Sequence, residues 1–191
     1  MTAATILAAS RQASGVTQAE LARRSGTSQP DISVIERGDR VPTFDTMERL
    51  VGRLRHTLIS IPVVRDDAPR AAANISSALA GNADDVAFRS FLDYSDGLAA
   101  ETGVNRVALT IARPQKTGSI VWDAALAAVA EYWLNRGRLP KPAWLTEPGR
   151  YLGEPTAPHL TRYDLQPDVD EVPREFLKRN LLIEQSTLAS V

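Results

Sequence analysis

The side chains in this sequence with a chemistry to suggest lie between Arg11 and Arg40. Ser28 and Gln29 stand together and can hydrogen-bond base edges. This is recognition chemistry, not bond making. There is no cysteine, which excludes disulfides, zinc ribbons and thiolate chemistry. The two histidines, His56 and His159, belong to no HExxH arrangement, and no GxSxG or glycine-rich phosphate loop occurs. Asp66-Asp67 and Asp84-Asp85 read as carboxylates favoured at helix starts. No catalytic residue, metal or cofactor is expected, and the chain is not expected to be an enzyme.

Two short helices must position those side chains. Thr17 opens the first, with Glu20 three residues on as the partner of a capping box, and Gly26 breaks it. The second begins at Thr27 or Ser28 and ends at Gly38. It takes Pro30 in its first turn, where a missing N–H costs little. Leu21, Ala22, Ile32 and Ile35 are the apolar set that joins the pair, which turns Ser28, Gln29, Asp31, Ser33 and Val34 outward. Glu36 reads as structural, paired with Arg23 or Arg24. A preceding helix is expected over Thr5–Ala13, with Ile6, Leu7 and Ala9 or Ser10 inward. A following one is expected over Asp45–Leu58, with Met47, Leu50, Val51 and Leu54 at helical spacing. The segment TLISIPVV, residues 57–64, is rich in β-branched residues and reads as a short edge strand or an extended connector. A strand here could pair with its equivalent in a second subunit; an extended segment would pack as an arm.

The run Thr17-Gln18-x-Glu20-Leu21-Ala22, Gly26-Thr27-Ser28-Gln29, Ile32-Ser33, Ile35-Glu36-x-Gly38 and Pro42-Thr43 resembles the Cro and phage-repressor (XRE) family over roughly residues 3 to 58. The resemblance implies a helix-turn-helix whose first helix crosses the DNA backbone while the second lies in the major groove. It implies that Gln18 binds a phosphate and buttresses Gln29, the main base reader. Ser28, Pro30 and Val34 would fall at the other groove-facing positions, and Arg11, Arg37 and Arg40 at phosphate clamps. Asp31 departs from the pattern: its carboxylate either accepts from a cytosine amine or repels phosphate. Ser10 takes a slot that suits a larger apolar residue, so the first helix is expected to pack loosely. With about three or four phosphate contacts per head, a monomer should bind weakly, which points to a homodimer on a two-fold site. The competing reading is a helix-turn-helix that keeps its fold but only mediates protein contacts.

Residues 66–191 read as a separate helical body. Helices are expected over Arg70–Ala80, Asp84–Thr102 and Ser119–Arg136, with Val104–Ala112 ambiguous between helix and strand and favoured as helix. Asp123 and Glu131 lie eight apart on one helix face and read as solvent-exposed; Trp122, Trp133 and Trp144 read as core. Residues 138–173 hold seven of the twelve prolines, with Trp144, Tyr151 and Tyr163 among them, and read as an irregular arm wrapped over the helices. A short helix is expected from Pro173 to Arg179. The pieces VNRVALTIARP, SIVWDAALAAVAEYWL, LPKPAWLTEP and EFLKRNLLIEQSTLASV resemble the C-terminal region of helix-turn-helix proteins that accompany nucleotidyltransferase-like toxins of the abortive-infection type. The resemblance implies an antitoxin whose body restrains the toxin while the head represses the shared operon.

Charge divides along the same boundary. Residues 1–65 hold nine arginines and six acids, a balance of +3, which leaves thirteen basic and seventeen acidic residues, a balance of −4, for 66–191. No apolar run is long enough to span a bilayer and the N-terminus has no signal-peptide core, so a cytoplasmic location without membrane association is expected. The whole is read as mainly α: a helix-turn-helix bundle over 1–65, a short β segment, and over 66–191 a helical dimerisation and partner-binding domain with a proline-rich arm. The alternative function is a stand-alone regulator whose body senses a small molecule; a third is an enzyme with a DNA-binding appendage.

Overall fold

The computed structural model describes residues 2–60, 64–158 and 167–188. It divides into two compact units between Ser60 and Ile61.

The first unit is a bundle of α1 (Ala3–Ala13), α2 (Gln18–Ser25), α3 (Gln29–Arg37) and α4 (Phe44–Gly52). Each helix starts on a hydroxyl side chain: Thr2, Thr17, Ser28 and Thr43 accept from the amides of Thr5, Glu20, Asp31 and Thr46. Those amides have no partner within the helix, so the four hydroxyls fix where the helices begin. Gly26 and Gly38 end α2 and α3 in the left-handed region, at φ 64° and 82°. Leu7, Leu21, Ala22, Ile32, Ile35, Met47, Leu50, Val51 and Leu54 close over one another as the core. Helix α4 stops at Gly52, short of the expected Leu58; Leu54 still reaches the core from the turn that follows. On α1, Ser10 is half-buried and Ala9 faces outward. Polar contacts tie this helix down: the Ser14 hydroxyl donates to the Leu54 carbonyl at 3.1 Å, and Arg11 is paired across the bundle with Glu36.

Residues 57–60 form neither strand nor bridge, and 61–63 lie outside the described residues. Of the segment read as a short edge strand or an extended connector, residues 57–60 and 64 therefore belong to no strand. Leu58 packs partly buried against the four-helix core. Among the described residues the β pairing is an isolated parallel bridge, Thr156 with Leu181.

The second unit contains α5 (Ala68–Ala80), α6 (Asp84–Ala100), α7 (Gly103–Ile111), α8 (Ile120–Arg136) and α9 (Arg174–Leu177). Asp67 caps α5 and Pro69 sits in its first turn. The ambiguous segment is helical, and Arg106 on α7 donates to the carbonyls of Leu98, Ala99 and Trp133, which locks α7 to the end of α6 and to α8. Helix α8 is the centre of the unit, with twelve of its seventeen residues buried, so it presents no solvent stripe. Its alanines at 124, 125, 127, 128 and 130 let neighbours approach from all sides.

This overturns the exposed reading of Asp123 and Glu131, each 4% exposed. Asp123 accepts from the backbone and hydroxyl of Thr117 and pairs with Arg150 at 3.4 Å and Lys116 at 3.3 Å. Glu131 pairs with Lys178 at 2.5 Å, Arg179 at 2.7 Å and Lys141 at 3.5 Å. Arg150 and Arg179 are fully buried, one over Trp144 and the other over Tyr151. Arg150 comes from the proline-rich segment and Arg179 from just beyond α9, so the two carboxylates of α8 hold both in place. Short 3-10 turns at Ala143–Thr146 and Pro148–Arg150 carry the irregular chain across α8. Trp122 and Trp144 are core, while Trp133 is half-buried with Arg106 and Arg136 over its ring. His159 and Tyr163 lie outside the described residues. No described helix is long and apolar enough to cross a membrane.

Candidate nucleic-acid interface

Helices α2 and α3, joined through the left-handed Gly26, bring Gln18 and Gln29 together. At the start of α3 the Ser28 hydroxyl accepts from the Asp31 amide at 3.3 Å and donates to the Asp31 carboxylate at 2.6 Å. Thr27 donates to the same oxygen at 3.2 Å, and Arg40 reaches the other at 2.9 Å. The hydrogen bond from Ser28, aided by those from Thr27 and Arg40, holds the Asp31 carboxyl below its ordinary value. Asp31 thus holds the capping hydroxyl and has a cation beside it, which accounts for an acid on this helix without assigning it a base. Ser28 is engaged in the same cap.

Gln29 stands differently. It is exposed, and its amide nitrogen donates to the Gln18 carbonyl oxygen at 2.9 Å. Gln18 in turn donates to Glu36 at 2.8 Å. The buttress between Gln18 and Gln29 is present; the Gln18 nitrogen expected on phosphate faces Glu36. Pro30 is exposed beside Gln29, while Ser33 and Val34 are half-buried.

The three arginines divide into two kinds. Arg11 lies 15% exposed, donates to both oxygens of Glu36 at 2.7 and 2.9 Å, and reaches the Val16 carbonyl at 2.9 Å. It is a fastener between α1 and α3. Arg37 pairs with Asp39 at 2.8 Å and donates to Ser33 at 2.6 Å. Arg37 and Arg40 are more than half exposed, and such surface pairs are weak enough for both to turn to phosphate.

Glu36 does not pair with Arg23 or Arg24, as the sequence reading expected. Both arginines close on Glu20, three and four residues back on the same helix, and their hydrogen bonds lower its carboxyl to about 2. The Glu20 side chain is therefore turned to the arginines, and the Thr17 cap keeps only its hydroxyl half. Burial pushes the Glu36 carboxyl upward, but the hydrogen bonds from Arg11 and Gln18 outweigh it and leave the group below its ordinary value. Sequence reasoning missed Glu36 as the junction of α1, α2 and α3. The available signal was its place beside Ile35 and one turn after Ile32, on the edge of the buried face.

In the second unit, a cleft of about 280 Å³ is lined by Leu79, Asp84, Ser119, Val121, Trp122, Thr156, Ala157 and Pro158. Asp84 is the titratable side chain among the described residues of that lining.

Residues 4–55 match the family model of a helix-turn-helix domain. Nothing among the curated proteins or the solved structures is significantly similar to the chain. The first unit is a helix-turn-helix domain, which makes the chain a candidate DNA-binding regulator.

Proposed function

We propose that the protein is a sequence-specific DNA-binding transcriptional repressor that acts as a homodimer. We further propose that its helical body binds a nucleotidyltransferase-like toxin whose antitoxin it is. The observation that carries the DNA reading is the Gln29 amide: exposed at the start of α3, held by Gln18, and accompanied by the releasable cations Arg37 and Arg40. With Arg11 held by Glu36, each head offers few free cations to phosphate. A single head then binds weakly, and a two-fold site supplies the missing contacts. The antitoxin reading rests on the resemblance of the body segments between Val104 and Val191 to those of such proteins.

The test is a gel shift on the DNA upstream of the protein's own gene, with and without the product of the neighbouring gene. We expect a retarded band that the neighbouring product shifts further, and a stable complex of the two proteins on copurification. Retardation no stronger than that of scrambled DNA would contradict the repressor reading. A neighbouring product that neither binds the protein nor has its toxicity relieved by it would contradict the antitoxin reading alone.

A further inference from the structure

The hydrogen bonds from Arg11 to Gln29 form a chain with a fixed direction. Arg11 donates through Nε and Nη2 to the two oxygens of Glu36 at 2.7 and 2.9 Å, and Gln18 donates through Nε2 to Glu36 Oε2 at 2.8 Å. An ionised carboxylate can only accept. Gln18 must therefore point its nitrogen at Glu36 and its oxygen away. That oxygen is what Gln29 meets, so Gln29 must use one of its own N–H groups there, at 2.9 Å. What remains to face outward on Gln29 is one N–H and the carbonyl oxygen, a donor next to an acceptor.

We propose that Glu36 is the positioning residue that sets this polarity, and that its effect is to select adenine and reject guanine at the base Gln29 reads. Adenine presents N7 as acceptor and N6–H as donor, which the outward groups of Gln29 match. Guanine presents N7 and O6, two acceptors, and would set O6 against the Gln29 oxygen. Were both amides turned over, the Gln29 oxygen would accept from Gln18 and both Gln29 N–H groups would face out, the two donors that the two acceptors of guanine require. The discrimination thus begins at a carboxylate that never touches DNA. This inference rests on the DNA-binding reading above.

The experiment is selection of bound duplexes from a randomised pool by the full-length protein, followed by titration of the selected site and its adenine-to-guanine variant. Wild type should favour adenine by about tenfold or more at one position, and Gln29→Ala should lose the preference there. Glu36→Gln can offer Gln18 either an acceptor or a donor, so the ratio should fall to about twofold or less. Gln18→Lys is the sharper variant, since a lysine is donor-only and is held by Glu36. It forces Gln29 to turn its oxygen inward and should move the preference to guanine. A Gln18 that merely props Gln29 would lose affinity in this variant without reversing the ratio. If Glu36→Gln fails to fold, as its thermal melt would reveal, the lysine variant decides alone. A Gln18→Lys protein that still favours adenine as wild type does overturns the inference, as does a wild-type preference for any other base at the Gln29-dependent position. A wild type that selects no sequence overturns the DNA reading together with it.

Discussion

Gln29 and Arg37 stand at the two ends of α3 and should fail in different ways. Gln29 offers an amide to a base edge, so Gln29→Ala should weaken binding to the preferred site by about 1–3 kcal/mol and leave random DNA unaffected. Arg37 offers only charge, so Arg37→Ala should weaken all duplexes alike and reduce the slope of log K against log salt by about one. Titrations at several salt concentrations separate the two. Arg11 should not behave as a phosphate contact. Arg11→Met leaves the Glu36 carboxylate mostly buried without its main partner, a loss of about 3 kcal/mol of folding stability that a urea melt would register. The pH dependence follows the sign of the Glu36 shift. Its carboxyl is held below the ordinary value in the folded chain, so its contribution is fully present above the usual carboxylate range. It is lost as pH falls through the folded value. Glu36→Gln should flatten that acid limb in melts taken across a pH series, and an unchanged limb would place the acid sensitivity elsewhere.

At the scale of elements, the legible parts were those whose signals are local. Thr17, Ser28, Gly26 and Gly38 mark the ends of α2 and α3 by their own chemistry, and the spacing of Leu21, Ile32 and Ile35 gives the buried faces. The Gln18–Gln29 contact followed from a resemblance, not from spacing. The distant charge partners were not legible, because Arg11, Arg150 and Lys178 lie 25, 27 and 47 residues along the chain from Glu36, Asp123 and Glu131. Helix α8 misled for a related reason: a run of alanines gives no apolar stripe, so its two acids looked like a polar face when they were buried anchors. Removing one anchor should release what it holds. Glu131→Ala leaves Arg179 buried without its carboxylate and should cost about 3–5 kcal/mol. It should also speed tryptic cleavage near Lys178 well before the rest of the body is cut. Cleavage at the wild-type rate would mean that α9 is held by its apolar contacts alone.

At the scale of the whole molecule, a basic helix-turn-helix unit and an acidic helical unit share one chain, and in the sequence the two differ in the sign of their charge. In the proposed function, specificity comes from the Gln29 amide and affinity from a second copy of the chain. The most direct measurement is a footprint on the DNA upstream of the gene, for wild type and for Gln29→Ala. We expect wild type to protect two half-sites related by a two-fold axis and separated by about one helical turn, with Gln29→Ala losing that protection at the same protein concentration. Protection of a single unpaired site, or a Gln29→Ala footprint identical to wild type, would contradict a dimeric repressor that reads its operator through α3.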